Sequence, residues 1–285
     1  MAGSNEWLYE IKPKGKFIDL NFKEIWRYRD LLILFVKRDI VTVYKQTVLG
    51  PLWFLIQPLM TSIVLTLIFN NLAQVNYGEA PPFLFNLGSV ILWNYFKTNL
   101  SQSSTTFTAN TGLFGKVYFP RVIVPISKAI SGLLQLLIQL IIFVIFYLIY
   151  INKGASITPS WTALWLPGYI FLVILLSVGV GLILSSLTTK YRDLNNLVTF
   201  GLSLLMYLSA VPFPVSEAQE KLGKYSWVVD YNPLAHIIDG FRMSALGSDN
   251  LNYPALGYIL VLSIFIFIVG LIVFNRTEKT FIDTV

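Results

Sequence analysis

Residues 125–151 read PISKAISGLLQLLIQLIIFVIFYLIYI, an apolar run whose one charge, Lys128, stands near its start. As an α-helix it is long enough to cross a hydrocarbon core of about 30 Å, which takes roughly 20 residues. Further apolar runs lie at about 50–72, 83–105, 165–187, 197–211 and 253–274. The expected fold is therefore an all-α membrane protein with six transmembrane helices. Composition agrees. Of 285 residues 55% are hydrophobic and 13% charged, with mean hydropathy +0.65, where a soluble domain carries about 25% charge. Ionisable groups are expensive in lipid, which accounts for the deficit.

Residues 1–30 are mixed-charge and aromatic, so no cleavable signal peptide is expected there. The absence of cysteine excludes disulfides and thiolate metal sites, and the single histidine, His236, excludes a polyhistidine centre. Orientation follows from the basic residues. With a cytosolic N-terminus, inside segments hold sixteen of the 21 lysines and arginines; Lys153, Lys221, Lys224 and Arg242 fall outside and Lys97 within the second span. Both termini are then cytosolic, and the net charge of +6 marks a membrane face instead of a nucleic-acid surface. The chain divides into an N-terminal cytosolic segment, 1–49, and a transmembrane domain, 50–285.

Two helical stretches do not read as spans. Asn21 can cap a helix with Glu24 three residues on. Ile25, Tyr28, Leu32, Phe35 and Val36 then form an apolar stripe opposite Lys23, Arg27, Asp30, Lys37 and Arg38, the pattern of an interface helix. On the outer side, Pro212 and Pro214 end the fifth span, Asn232 caps a helix that Pro233 opens, and Gly247 can close it. Its apolar face is Leu234, Ile237, Ile238, Phe241 and Ala245. At about 1.5 Å per residue it is too short to cross, so a re-entrant or surface-lying helical hairpin over 211–252 is expected. His236, Asp239 and Arg242 are expected to face water or a channel.

Signals of catalysis are missing. Gly112-Leu-Phe-Gly-Lys116 lacks the spacing and the hydroxyl residue of a phosphate-binding loop, and acidic residues do not pair within a span. The second span carries a polar stripe, Asn94, Lys97, Thr98, Ser101, Ser104, Thr105 and Thr108, which faces either a wet cavity or a hydrogen-bonded helix interface. Ser131, Gln135 and Gln139 repeat this in the third span. Ser177, Gly181 and Ser185 in the fourth place a small residue every fourth position, a close-packing pattern. Aromatics such as Trp53, Trp93, Tyr207, Phe213 and Tyr231 read as interfacial anchors, or as flat faces for a sugar.

Several blocks in order resemble the permease subunits of ABC-2 type exporters for O-antigen, capsule and teichoic-acid polysaccharides. They are Lys37-Arg38-Asp39; Tyr44-Lys45-Gln46-Thr47-Val48-Leu49-Gly50-Pro51-Leu52-Trp53; Gln57-Pro58; Lys116-Val117-Tyr118-Phe119-Pro120-Arg121; Tyr191-Arg192-Asp193; Asn232-Pro233; and Gly240-Phe241-Arg242. Val41 and Val43 stand where family members often carry basic residues. The resemblance implies a homodimer with two copies of a separate cytosolic ABC ATPase, which binds the ATP and Mg, and a lipid-linked polysaccharide as cargo. It implies ATPase-coupling residues in the interface helix (Lys23, Arg27, Arg38) and in a coupling helix over 111–119 with its flank (Gly115, Lys116, Tyr118, Arg121). It implies a channel, for which Asn94, Lys97, Ser101 and Tyr207 are candidates, and an outer gate with Phe213, Tyr231, Ile238, Phe241 and Arg242. Rival readings are an exporter of teichoic acid, another amphiphile or a drug, and a membrane enzyme acting on lipid-linked sugars, for which Arg192 with Asp193 is the one candidate.

Overall fold

The computed structural model describes residues 22–45, 50–158, 160–191, 193–247 and 252–281. Asn21, residues 46–49 and Arg192 lie outside the described residues, and no side chain is described for Lys23. Two helices, α1 (Phe22–Arg27) and α2 (Arg29–Lys45), break at Tyr28. The chain continues through α3 (Trp53–Thr66), which runs on in a wider π-helical turn over Leu67–Leu72. There follow α4 (Pro82–Ser104), the short α5 (Thr106–Ala109) and α6 (Thr111–Phe114), and α7 (Ile123–Asn152). A 3-10 turn, Trp161–Trp165, enters α8 (Leu166–Lys190), and α9 (Leu194–Leu208) comes next. The remaining helices are α10 (Val215–Leu222), α11 (Trp227–Asp230), α12 (Pro233–Ala245) and α13 (Tyr253–Phe281). The described residues contain no strand.

Helices occupy all six positions read as spans, but four meet both length and apolarity: Trp53–Leu72, Ile123–Asn152, Trp161–Lys190 and Tyr253–Lys279. With 15 residues, α9 covers only about 22 Å. With 23 residues, α4 is long enough but rich in polar side chains. Its position explains this: Leu84, Leu87, Val90, Ile91 and Leu92 are fully buried, with Asn86, Ser89 and Ser103 beside them. A helix surrounded by protein meets little lipid and can carry polar groups that a lipid-facing one cannot. One of these is used at once, as the Asn86 amide donates to Thr66 Oγ1 of α3 at 3.1 Å.

Close packing comes from glycine and serine. On α8, Ser177, Gly181 and Ser185 are buried, and a Cβ at Gly181 would run into Ser103 of α4. The opposite face of α8 meets α13 at Gly179, where an added Cβ would lie 2.8 Å from the Phe267 backbone, and at Gly270, which leans on the Gly179 carbonyl. Backbone cannot step aside as a side chain does. Gly179→Ala should therefore lower the stability of the purified protein by about 1–3 kcal/mol through overpacking. Gly257→Ala on the same helix pair, with nothing nearby, should not; thermal unfolding in detergent distinguishes the two.

The expected coupling helix over 111–119 needs correction. The helix ends at Phe114, and 115–120 continue as turn and coil. Proline at 120 and glycine at 115 both oppose a longer helix.

Candidate functional site

One end of the bundle gathers α1, α2, the 105–122 segment and the end of α13 around an aromatic cluster. Phe35 of α2 meets Phe119 edge-on at 5.7 Å, Phe119 contacts Phe114 at 5.7 Å, and Phe107 stacks on Phe274 at 4.5 Å. Ile25, Tyr28 and Leu32 of the expected stripe pack on this cluster, while Trp26, Ile33 and Leu34 stay exposed. The loop between the anchors Phe114 and Phe119 is thrust outward: Gly115, Lys116, Val117 and Tyr118 are exposed, Tyr118 at 78%. Arg27 is exposed as well. Arg38 sits over the Phe35 ring at 4.8 Å and pairs with Asp39 at 2.9 Å.

Arg121 does not share that surface. It is 5% exposed; its Nη1 donates to the Glu278 carbonyl at 3.0 Å, its backbone N–H to Glu278 Oε1 at 3.2 Å, and its guanidinium lies over the Phe114 ring. Burial pushes this guanidinium below the ordinary arginine range, and Glu278 pulls it back. Arg121, expected among the ATPase-coupling residues, thus lies beneath the exposed loop and fastens it to α13.

Along α4, Lys97, Ser101 and Gln102 are exposed and Asn94 and Thr98 half-buried on one open strip, although most of the helix is enclosed. Beside the strip a cleft of about 200 Å³ separates α4 from α2, α3 and α7, lined by Asp39, Phe54, Thr98, Gln102, Lys128 and Gln135 among others. The Lys128 ammonium reaches Asp39 Oδ2 at 2.9 Å across its mouth. Deeper, the Gln139 amide donates to the Phe54 carbonyl at 3.0 Å. Tyr207, placed with the strip by the sequence, is half-exposed on α9 in a row with the exposed Leu197, Phe200 and Leu204.

At the far end, the Asn232 side chain accepts from the Leu234 and Ala235 amides at 3.0 and 3.4 Å, the cap expected of it. Its amide also donates to the Leu208 carbonyl at 3.1 Å, tying α12 to the end of α9. Ile238 and Phe241 pack inward, Phe241 over Gly88 of α4. Phe213 is half-buried against Phe69 at 5.9 Å, and Tyr231 is exposed, its carbonyl accepting from the Tyr258 hydroxyl. Beside α12 a cavity of about 800 Å³ is bounded by α10, α12 and the 76–80 segment.

Arg242 departs from expectation. Read from the sequence as water- or channel-facing, it is 1% exposed. Its Nη2 pairs with Asp239 at 2.7 Å, and its Nη1 donates to the Ala210 carbonyl at 2.9 Å, with Val211 and Phe213 carbonyls at 3.4 Å and Ser89 Oγ at 3.2 Å. Its guanidinium lies 4.1 Å from the Phe85 ring centre. Ala210, the carbonyl it holds best, has φ of +50°, a conformation unfavourable for a residue with a Cβ. The signal in the sequence was the i, i+3 spacing from Asp239, which places both groups on one side of the helix.

A profile described as ABC-2 type transporter matches residues 30–246. The O-antigen export system permease protein RfbA of Klebsiella pneumoniae is 28% identical over 255 residues, covering 89% of this chain and 94% of its own. The polysialic acid transport protein KpsM of Escherichia coli is 22% identical over 87% of this chain and 93% of its own. The capsule polysaccharide export inner-membrane protein CtrC of Neisseria meningitidis serogroup A is 23% identical, covering 85% and 89%.

Proposed function

Because the chain belongs to the ABC-2 type transporter family, we propose that it is the permease of an ATP-driven exporter that carries a lipid-linked polysaccharide out of the cytosol. The observation that carries this reading is near-full-length similarity to several permeases named for O-antigen and capsule export. In this reading α3, α4, α7, α8, α9 and α13 are the six spans. The end bearing α1, α2 and the 115–118 loop faces the cytosol, as its basic residues favour. Two copies associate, and the exposed row on α9 is suited to that contact. The open strip of α4, with Lys97 and Ser101, then lines the route between them.

Energy comes from outside the chain: a separate ABC ATPase in two copies binds ATP and Mg and docks on the exposed loop. The hairpin over 211–252 caps the outer end as a gate. Purified alone, the chain should hydrolyse ATP no faster than background, and adding the ATPase should restore hydrolysis. In cells, deleting the chain should remove the surface glycan and leave its lipid-linked precursor inside. Robust hydrolysis by the chain alone, or unchanged surface glycan, would overturn the reading.

A further inference from the structure

The cleft among α2, α3, α4 and α7 is built from chemistry that the coupling loop and the outer hairpin do not use. Its volume of about 200 Å³ would hold roughly seven waters at about 30 Å³ each. That is the scale of one sugar ring and falls short of a drug-sized pocket of about 300 Å³ or more. The Gln102 and Gln135 amides line it and make no hydrogen bond among the described residues. Each offers two donors and an acceptor. Phe54 supplies an aromatic wall.

At its inner end a smaller recess shares Thr98, Gly132 and Gln135 with the cleft and is lined also by Asn99. Asn99 is 1% exposed, and both polar atoms of its amide lack a hydrogen bond of ordinary geometry. The neighbouring Tyr95 hydroxyl is donated to the Ala129 carbonyl at 2.9 Å. The same hydroxyl lies against the Asn99 side chain, so this buried amide is met only weakly within the protein.

Charge decides what the cleft takes. Asp39 is met by Lys128 and by Arg38, each at 2.9 Å. Lys128 and Arg38 share this one carboxylate, so the Lys128 ammonium is already engaged, and a phosphate entering here would have to approach Asp39 to reach it. Neutral hydroxyl groups, which donate and accept at once, suit the amides and the Thr98 hydroxyl and do not compete for the engaged charges. We propose that this cleft binds one neutral sugar unit of the polysaccharide, with Gln102 and Gln135 bonding its hydroxyls and Phe54 packing on its apolar face. The sugar class rests on the exporter reading above; the subsite itself is a separate claim.

The test uses the full chain in lipid nanodiscs, with methyl glycosides of glucose, galactose, mannose, rhamnose and N-acetylglucosamine as probes, read by saturation-transfer NMR. At least one should bind saturably with a millimolar Kd. Gln135→Leu and Gln102→Leu, on different helices, should each weaken it by about tenfold or more, while Lys153→Gln at the far end of α7 should leave it unchanged. No saturable binding of any glycoside, or wild-type binding by both glutamine variants, overturns the proposal. Displacement of the glycoside by sn-glycero-3-phosphoethanolamine at equal concentration also overturns it, in favour of a lipid head-group site. Failure of the exporter reading looks different: surface glycan survives deletion of the chain, whatever the NMR shows.

Discussion

Arg242→Leu is expected to destabilise the protein by about 3–5 kcal/mol, the range for removing one member of a buried ion pair, and to abolish export. More than the ion pair is removed. Leucine leaves the Ala210 carbonyl without its donor and deprives the Val211 and Phe213 carbonyls of their long contacts. A buried acceptor without a partner costs about 1–3 kcal/mol. It also frees Ala210, whose positive φ persists only while its surroundings hold it. Asp239→Asn should cost far less, because Asp239 is 29% exposed and the carbonyl bonds of Arg242 survive. Arg242→Lys should fall between, since a single ammonium keeps the charge but not the planar fork. Thermal unfolding in detergent gives the order, and hydrogen exchange should place the loosening in 209–247. If Arg242→Leu unfolds at the wild-type temperature, or Asp239→Asn costs as much, the anchoring role assigned to Arg242 is wrong.

Arg242 also marks where sequence reading succeeds and fails. Helix positions were legible because apolar runs, Asn232 with Pro233, and Gly247 are local signals, and the structure uses each in its own neighbourhood. Gly247 has φ of +90°, as a C-terminal cap requires. The inward face of α12 was legible for the same reason. Partner identity was not. Whether an arginine beside an apolar stripe faces water depends on carbonyls 29 to 32 residues earlier, and no local pattern encodes that distance. The burial of Arg121 was hidden in the same way, its partner Glu278 lying 157 residues away. On α8 the small-residue stripe Ser177, Gly181 and Ser185 was visible because it is periodic. Gly179 and Gly270, which bring α8 and α13 into backbone contact, follow no shared period. The cleft was half legible: Gln135 and Thr98 were noted, but Asp39 and Lys128 meet only through the fold.

The loop between Phe114 and Phe119 separates support from contact, and so predicts two opposite kinds of variant. Its roots are buried, with Phe114 at 6% and Phe119 at 3% exposure, and Arg121 ties it to α13. Its tip, Lys116 to Tyr118, is exposed and adds a cation and a large aromatic to the apolar Val117. An exposed tyrosine on a rigid base is the kind of group that dominates protein interfaces, where one such side chain contributes about 2 kcal/mol or more. Lys116→Glu combined with Tyr118→Ala should leave unfolding within about 0.5 kcal/mol of wild type, as surface changes do. The same variant should weaken ATPase binding by about thirtyfold or more, since about 2 kcal/mol lost corresponds to that factor, and export should fall with it. Phe119→Ala should behave in the reverse order, losing about 3–5 kcal/mol of stability by leaving a cavity between Phe35 and Phe114. Copurification with the ATPase and thermal unfolding, measured on both variants, separate the two roles. A tip variant that unfolds early would make the loop part of the core. One that binds the ATPase and exports normally would move the docking surface elsewhere, with the exposed Trp26, Ile33 and Leu34 of the N-terminal helices the next place to look.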